Sequence, residues 1–244
     1  QSAGVLKEIR QAFLDEDKEK AAQLTRNNFN GLAAYEEKDE TPFRFGSFTT
    51  MGELYVETGL NELRMSNYRR ILSLDSAMVV VQFDKDGVQY QRKYFISYPD
   101  SVMVMKFTAN QSGKQNLILS YCPNSEAKSN LRADGKDGLV YTGVLDNNGM
   151  KFAFRIKAIH KGGTLEAEND RLIVKGADEV VFLLTADTDY KMNFNPDFKD
   201  PKTYVGNDPE QTTRIMMDQA VQKGYDELYR NHEADHTALF NRVR

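Results

Sequence analysis

From Phe43 to about Tyr190 the apolar residues recur at every second position, and a turn signal breaks the run about every ten residues. A period of two sends successive side chains to opposite faces of an extended strand, so this stretch constrains the fold more than anything else in the chain. AMVVVQF and VQYQRKYF flank DKDG and read as a hairpin with Gly87 in the turn. VMVMKFTA and QNLILSY flank NQSG, GVL and KFAFRIKAI flank DNNG, and TLEA and RLIV flank END. The apolar run VVFLLTA closes the series. Many short strands with tight turns and no intervening helices predict an antiparallel β-sandwich rather than a parallel α/β fold.

The two ends read differently. Val5, Leu6, Ile9 and Phe13 form a helical stripe, and Ala21, Ala22 and Leu24 continue it after the acidic break DED. The segment from Asn193 to Asp208 carries Pro196 and Pro201 and reads as a loop. Asp208-Pro209 is a helix start, with Asp as N-cap and Pro in the first turn. Ile215, Met216, Ala220 and Val221 give that helix an apolar side, and Tyr225, Leu228 and Tyr229 extend it. Leu239, Phe240 and Val243 form a last apolar patch. The organisation expected is a helical excursion over 1–42, a β-sandwich over 43–192, and a loop with a helical linker over 193–244.

At 244 residues with 40 % hydrophobic and 11 % aromatic content, the chain can fill one large β domain or two small ones. A net charge of −4 and a pI near 5.5 argue against nucleic acid as a partner, which leaves a basic footprint. No apolar run approaches the roughly 20 residues that span a bilayer, so no membrane partner is expected. The single cysteine, Cys122, excludes an internal disulfide framework. Gln1 stands where a Met would, with no basic-then-apolar leader after it, and is read as the mark of a processed or excised chain. A periplasmic or secreted location is expected over a cytoplasmic one.

Catalytic motifs are sparse. HEADH, His232 to His236, matches H-E-x-x-H, in which two histidines one helical turn apart grip zinc while the glutamate activates water. Zinc needs a third protein ligand, and the residues after His236 include no His, Cys, Asp or Glu. His160 stands apart beside KGG. The motif is therefore read as a coincidence on a helix face. Glu53, Glu57, Asp75 and Asp100 sit in dense stretches and are expected to cap turns or pair with Arg69, Arg70 and Arg92. Cys122, at a strand end, is expected to be a buried, inert thiol. Tyr55, Tyr68, Tyr90, Tyr94, Phe95 and Tyr98 could present stacking faces to sugars, but their spacing suits sheet packing. No phosphate-binding glycine loop or G-x-S-x-G occurs. No cofactor, metal or catalytic residue is assigned.

The segment Tyr68 to Phe107 resembles the N-terminal β-sandwich of glycoside hydrolase family 95, the α-L-fucosidases with some α-L-galactosidases. The resemblance rests on Tyr68, Arg69, Arg70, Leu72, Leu74 and Ala77, then the D-G hairpin, then Arg92, Phe95, Ser97, Tyr98, Pro99, Asp100 and Val102. FGSFTTMGELYVE is similar to the family's Gly-[DE]-Leu strand after a helical excursion, and GADEVVFLLTADTDY to its last sandwich strand. His232, Asp235, Leu239, Phe240, Arg242 and Val243 fit an H-x-x-D-x-x-x-L-F-x-R-V linker pattern.

That resemblance implies a non-catalytic sandwich serving an inverting glycosidase that acts on fucosylated or galactosylated glycans. Its acid and base would lie in an (α/α)6 barrel beyond this sequence, and the chain alone is expected to be inactive. The family's opening strands, with their W-x-x-x-L-P-x-G-N-G-like segment, are not found before Gln1. Two alternatives stay open: a free-standing carbohydrate-binding sandwich, and a metal hydrolase using His232 and His236.

Overall fold

The computed structural model describes residues 2–29, 50–61, 63–123, 127–146, 148–168, 170–197, 199–200 and 202–243. The expected sandwich start from Phe43 through Thr49 lies outside them. The chain divides into two units, Gln1–Phe48 and Thr49–Arg244.

In the first unit a 3-10 turn, Ser2–Val5, leads into α1, Leu6–Leu14, and then α2, Lys18–Phe29. The break falls at DED as expected. Glu16 adopts φ 58°, and the Asp17 carboxylate accepts from the Lys20 N–H at 3.0 Å, opening α2. The buried stripe is narrower than the sequence suggests: Ile9, Ala12 and Ala21 are inside, whereas Phe13 is exposed.

The second unit is a two-sheet antiparallel β-sandwich. Its strands are β1 (Gly52–Glu57), β2 (Met65–Ser73), β3 (Met78–Lys85), β4 (Val88–Ser97), β5 (Val102–Ala109), β6 (Gln115–Pro123), β7 (Ala127–Ala133), β8 (Gly138–Leu145), β9 (Lys151–Lys161), β10 (Thr164–Glu168), β11 (Arg171–Ala177) and β12 (Glu179–Thr188). One sheet has the order β1-β6-β11-β10, and the other β2-β3-β4-β5-β12-β9-β8-β7. In the β3–β4 hairpin Asp86 and Gly87 both take positive φ, 49° and 77°, as a tight I′ turn requires. NQSG behaves differently from the other turns. It carries the chain from β5 in the large sheet to β6 in the small one, and the Asp178 carboxylate fastens it by accepting from the Gly113 N–H at 2.7 Å.

The main core fills the space between the sheets. Leu119 and Leu172 from the small sheet meet Phe107, Phe182 and Ile156 from the large one. Fully burying such side chains contributes about 1.5–3 kcal/mol each. A second core lies on the opposite face of the large sheet. There the helix α3, Pro209–Phe240, sets Met217, Ala220 and Leu228 against Val104, Val181, Leu183 and Phe95. The large sheet is thus covered on both sides, which explains why β12 reads as an unbroken apolar run.

Cys122 departs from expectation: it is exposed. Strand β6 turns Leu117, Leu119 and Tyr121 inward, so strict alternation sends Cys122 to the outer face opposite Glu53.

Candidate functional site

Polar and aromatic groups converge most densely where α3 meets the turns at one end of the large sheet. Asp208 caps the helix, its carboxylate accepting from the Glu210 N–H at 3.2 Å, and Pro209 occupies the first turn. The Thr185 hydroxyl, buried on β12, donates to the Thr213 carbonyl at 3.0 Å. At Gly224 the backbone leaves helical geometry, with φ 71° and ψ 172°, a conformation open in practice only to glycine. The kink turns the second half of α3 onto the β2–β3 and β4–β5 turns.

Asp100 is the hub. Its side chain is 2 % exposed. One carboxylate oxygen accepts from Lys223 Nζ at 2.6 Å and Asn231 Nδ2 at 3.1 Å, and the other from Ser97 Oγ at 2.5 Å. Burial by itself would raise this carboxyl. The hydrogen bonds from Lys223, Ser97 and Asn231 and the Lys223 charge outweigh it and hold the group below the ordinary range. Lys223 is correspondingly raised, chiefly by its bond to Asp100.

Beside this hub, Phe95 is enclosed by aromatic rings. Tyr225 and Tyr229 meet it edge-on at 5.8 Å each, and His232 stacks on it at 4.9 Å. Burial pushes the Tyr225 hydroxyl up to about 12. Lys106 lies 4.2 Å over the Tyr225 ring and pairs with Glu179 at 2.8 Å. Glu179 also pairs with Lys161 at 3.0 Å. Burial opposes its ionisation, but the two lysines lower its carboxyl nonetheless.

HEADH sits on the same helix half. His232 Nε2 donates to the Ser76 and Ala77 carbonyls at 3.1 and 3.2 Å, and His236 Nε2 donates to the Leu74 carbonyl at 2.7 Å. Those acceptors fix each ring with its proton on Nε2, which commits both nitrogens to the β2–β3 turn. Among the described residues no group of three His, Cys, Asp or Glu is placed to hold a metal.

The other sequence candidates disperse. Glu53 accepts from the Tyr55 hydroxyl on the outer face of the small sheet, and Glu57 lies exposed on the same strand. Asp75 is exposed in the β2–β3 turn. Asp100 does secure a turn, but its cation is Lys223 rather than any of the three arginines expected. Arg92 instead lies over the Phe83 and Phe107 rings, at 5.1 and 5.9 Å. Tyr90 stacks on Phe83 at 5.3 Å and Tyr94 packs edge-on against Phe107 at 6.0 Å, while Tyr55, Tyr68 and Tyr98 are exposed. His160 Nδ1 contacts the Gly162 carbonyl at 2.7 Å. Lys223 and Asn231 were not singled out in the sequence. The S-Y-P-D turn signals a serine-to-aspartate bond, but nothing local signals partners 123 and 131 positions away.

A separate open groove of about 500 Å3 runs between β7–β8 and the first turn of α3. Lys128, Asn130, Thr142 and Lys151 line it, and Glu210 at its edge is tied to Arg132 at 2.6 Å.

Residues 1–193 match the family described as "Glycosyl hydrolase family 65, N-terminal domain". The chain is 27 % identical over 214 residues to "Probable alpha-fucosidase A" of Aspergillus niger, covering 83 % of this chain and 26 % of that protein. It is 26 % identical over 222 residues to "Alpha-L-fucosidase 2" of Arabidopsis thaliana, covering 80 % of this chain and 26 % of that one. The chain therefore spans about a quarter of the length of these curated relatives. Among solved structures, "Putative kojibiose phosphorylase from human microbiome" aligns with a TM-score of 0.52 at 10 % identity, over 75 % of this chain and 27 % of that one. At that identity the likeness is one of fold.

Proposed function

This chain belongs to the family of glycosyl hydrolase family 65 N-terminal domains, and on that premise we propose that it is the supporting β-sandwich of a longer, α-L-fucosidase-like glycoside hydrolase. The observation that carries the reading is the fate of Asp100. The most deeply engaged carboxylate among the sequence candidates spends both oxygens on Ser97, Lys223 and Asn231. It pins α3 to the sheet and faces no cavity among those found. The fucosidase names of both relatives support the sugar class.

On this reading the reaction takes place in an (α/α)6 barrel outside this sequence, and α3 is the linker leading to it. Hydrolysis there proceeds with inversion. One carboxylic acid protonates the leaving oxygen while a carboxylate activates water across the sugar ring, the two held roughly 6.5–9.5 Å apart to admit that water. The sandwich stiffens the barrel and helps wall the substrate entrance.

The test is hydrolysis of p-nitrophenyl α-L-fucoside and α-L-galactoside by this chain and by the longer protein. Activity confined to the longer protein supports the reading and names the sugar. Turnover by this chain alone sinks it. A second reading, a carbohydrate-binding sandwich, is favoured by the polar groove between β7–β8 and α3. Saturable binding of fucosyl oligosaccharides to this chain, abolished by Asn130→Ala with Thr142→Ala, would replace the first reading with the second.

A further inference from the structure

Strand β2 is the edge of the large sheet, and most of its residues are exposed whichever face they point to. Through the register Leu72–Val79–Tyr94, Leu72 shares a face with Ile96, which is paired with Met103. This is the face turned toward the small sheet, since Met103 packs against the inter-sheet core. The small sheet pairs its strands over β5, β8 and β9 and stops short of this corner. As a result Leu72, Leu74 and Ile96 stand 62, 61 and 66 % exposed, and Tyr98 beyond them stands 83 % exposed.

The end of α3 joins the same rim. His236 is bonded to the Leu74 carbonyl, and Leu239 and Val243 follow it, both exposed. Such a contiguous apolar patch on a soluble domain marks a contact surface. Its scaffold is rigid: Asp100 braces the turn that presents Tyr98, and the Ser101 N–H donates to the Tyr98 carbonyl at 3.2 Å. The patch also carries charge. Arg69 and Arg70 lie on the same edge strand, and neither has a carboxylate at salt-bridge distance among the described residues. A rigid aromatic anchor among aliphatic side chains, with arginines beside it, has the composition of an interface centre.

We propose that this corner, with Tyr98 as its anchor, is the seat of the domain that follows α3 in the same polypeptide, and that the seated segment is apolar with an acidic rim facing Arg69 and Arg70. The proposal rests on the reading of the chain as part of a longer glycosidase. Two observations select this occupant. The helix delivers the onward chain to the patch itself, and the relatives run to about four times the matched length, which leaves ample chain to cover it.

The experiment is hydroxyl-radical footprinting of the longer protein, with p-nitrophenyl α-L-fucoside and α-L-galactoside hydrolysis measured on the same preparation. In this chain Tyr98 is more exposed than Tyr55 or Tyr190. If the corner is seated, Tyr98 is oxidised at least tenfold more slowly than those two internal references. Tyr98→Ala together with Ile96→Ser then restores fast labelling of Leu72 and Leu74. Tyr98 labelled as fast as the references overturns the proposal, even if the enzyme is active. Protection in a protein inactive on both sugars keeps the surface and removes the glycosidase reading. Protection that vanishes on dilution assigns the face to a second copy and overturns the proposed occupant.

Discussion

His232 lies against Phe95 with ring centroids 4.9 Å apart and planes inclined at 28°, while its Nε2 reaches back to the carbonyls of Ser76 and Ala77. One side chain thereby joins the last helix, the middle of the large sheet and the β2–β3 turn. The pattern that looks like half a zinc site acts in this structure as a clasp.

His232→Ala should therefore cost about 2–3 kcal/mol, from a lost ring contact and buried carbonyls left without a donor. The more exposed His236→Ala should cost under about 1 kcal/mol. Thermal melts read this at roughly 2–4 °C per kcal/mol in a chain this size. A chelator should leave Tm unchanged. If EDTA lowered Tm in the wild type but not in H232A, the clasp assignment would be wrong.

Acid should loosen α3. The Asp100 and Glu179 carboxyls are both held below their ordinary values in the folded protein. Between the folded and unfolded values the unfolded chain binds more protons. The stability these groups contribute is therefore complete above the unfolded value and falls away as pH drops through the folded ones. Melts from pH 6 to pH 3 should show Tm falling below about pH 4. Asp100→Asn should start lower and fall less steeply, and an unchanged slope would refute the role given to Asp100.

Gly224→Ala should cost about 1–3 kcal/mol, although nothing lies within 4 Å of the position a Cβ would take. The cost is one of backbone conformation alone, since an L-residue resists φ 71°. Urea unfolding would measure it. A substitution that changed nothing would mean that α3 can straighten without penalty.

Gly143→Ala should also destabilise, but by collision. A Cβ there would strike the Phe152 ring, and crowding of this kind typically costs about 1–3 kcal/mol. Phe152→Leu should recover part of the loss in the double variant, and a double-mutant cycle showing simple additivity would contradict the contact.

How much of this was legible in the sequence depends on distance along the chain. Hairpins such as β3–β4 and β10–β11 were readable because their pairing is set by turns a few residues long. The passage of β5 to β6 between sheets was not, because NQSG looks like any hairpin turn and only the packing of Leu117 and Leu119 against the large sheet separates the two cases. Strand β7 was missed because AKSNLRA at a sheet edge lacks apolar alternation. The burial of Cys122 was misjudged by treating the residue type as evidence, when the neighbouring Tyr121 already fixed which way it pointed. Asp100 was noticed, but its partners come from a helix that the strand pattern says nothing about.

The position of β12 bears on how the protein is made. The large sheet consists of two runs of sequential neighbours, β2 to β5 and β9 back to β7, and β12 is the strand between them. It is also the last strand to be translated. Until Glu179–Thr188 has left the ribosome, the halves can form hairpins but have no shared strand to join them, and α3 has no surface on which to settle. A nascent chain arrested before Glu179 should stay open to protease, and one extended past Phe240 should close. Synthesis thus ends on its keystone, and through most of translation chaperones would meet two open sheet edges rather than a folded sandwich.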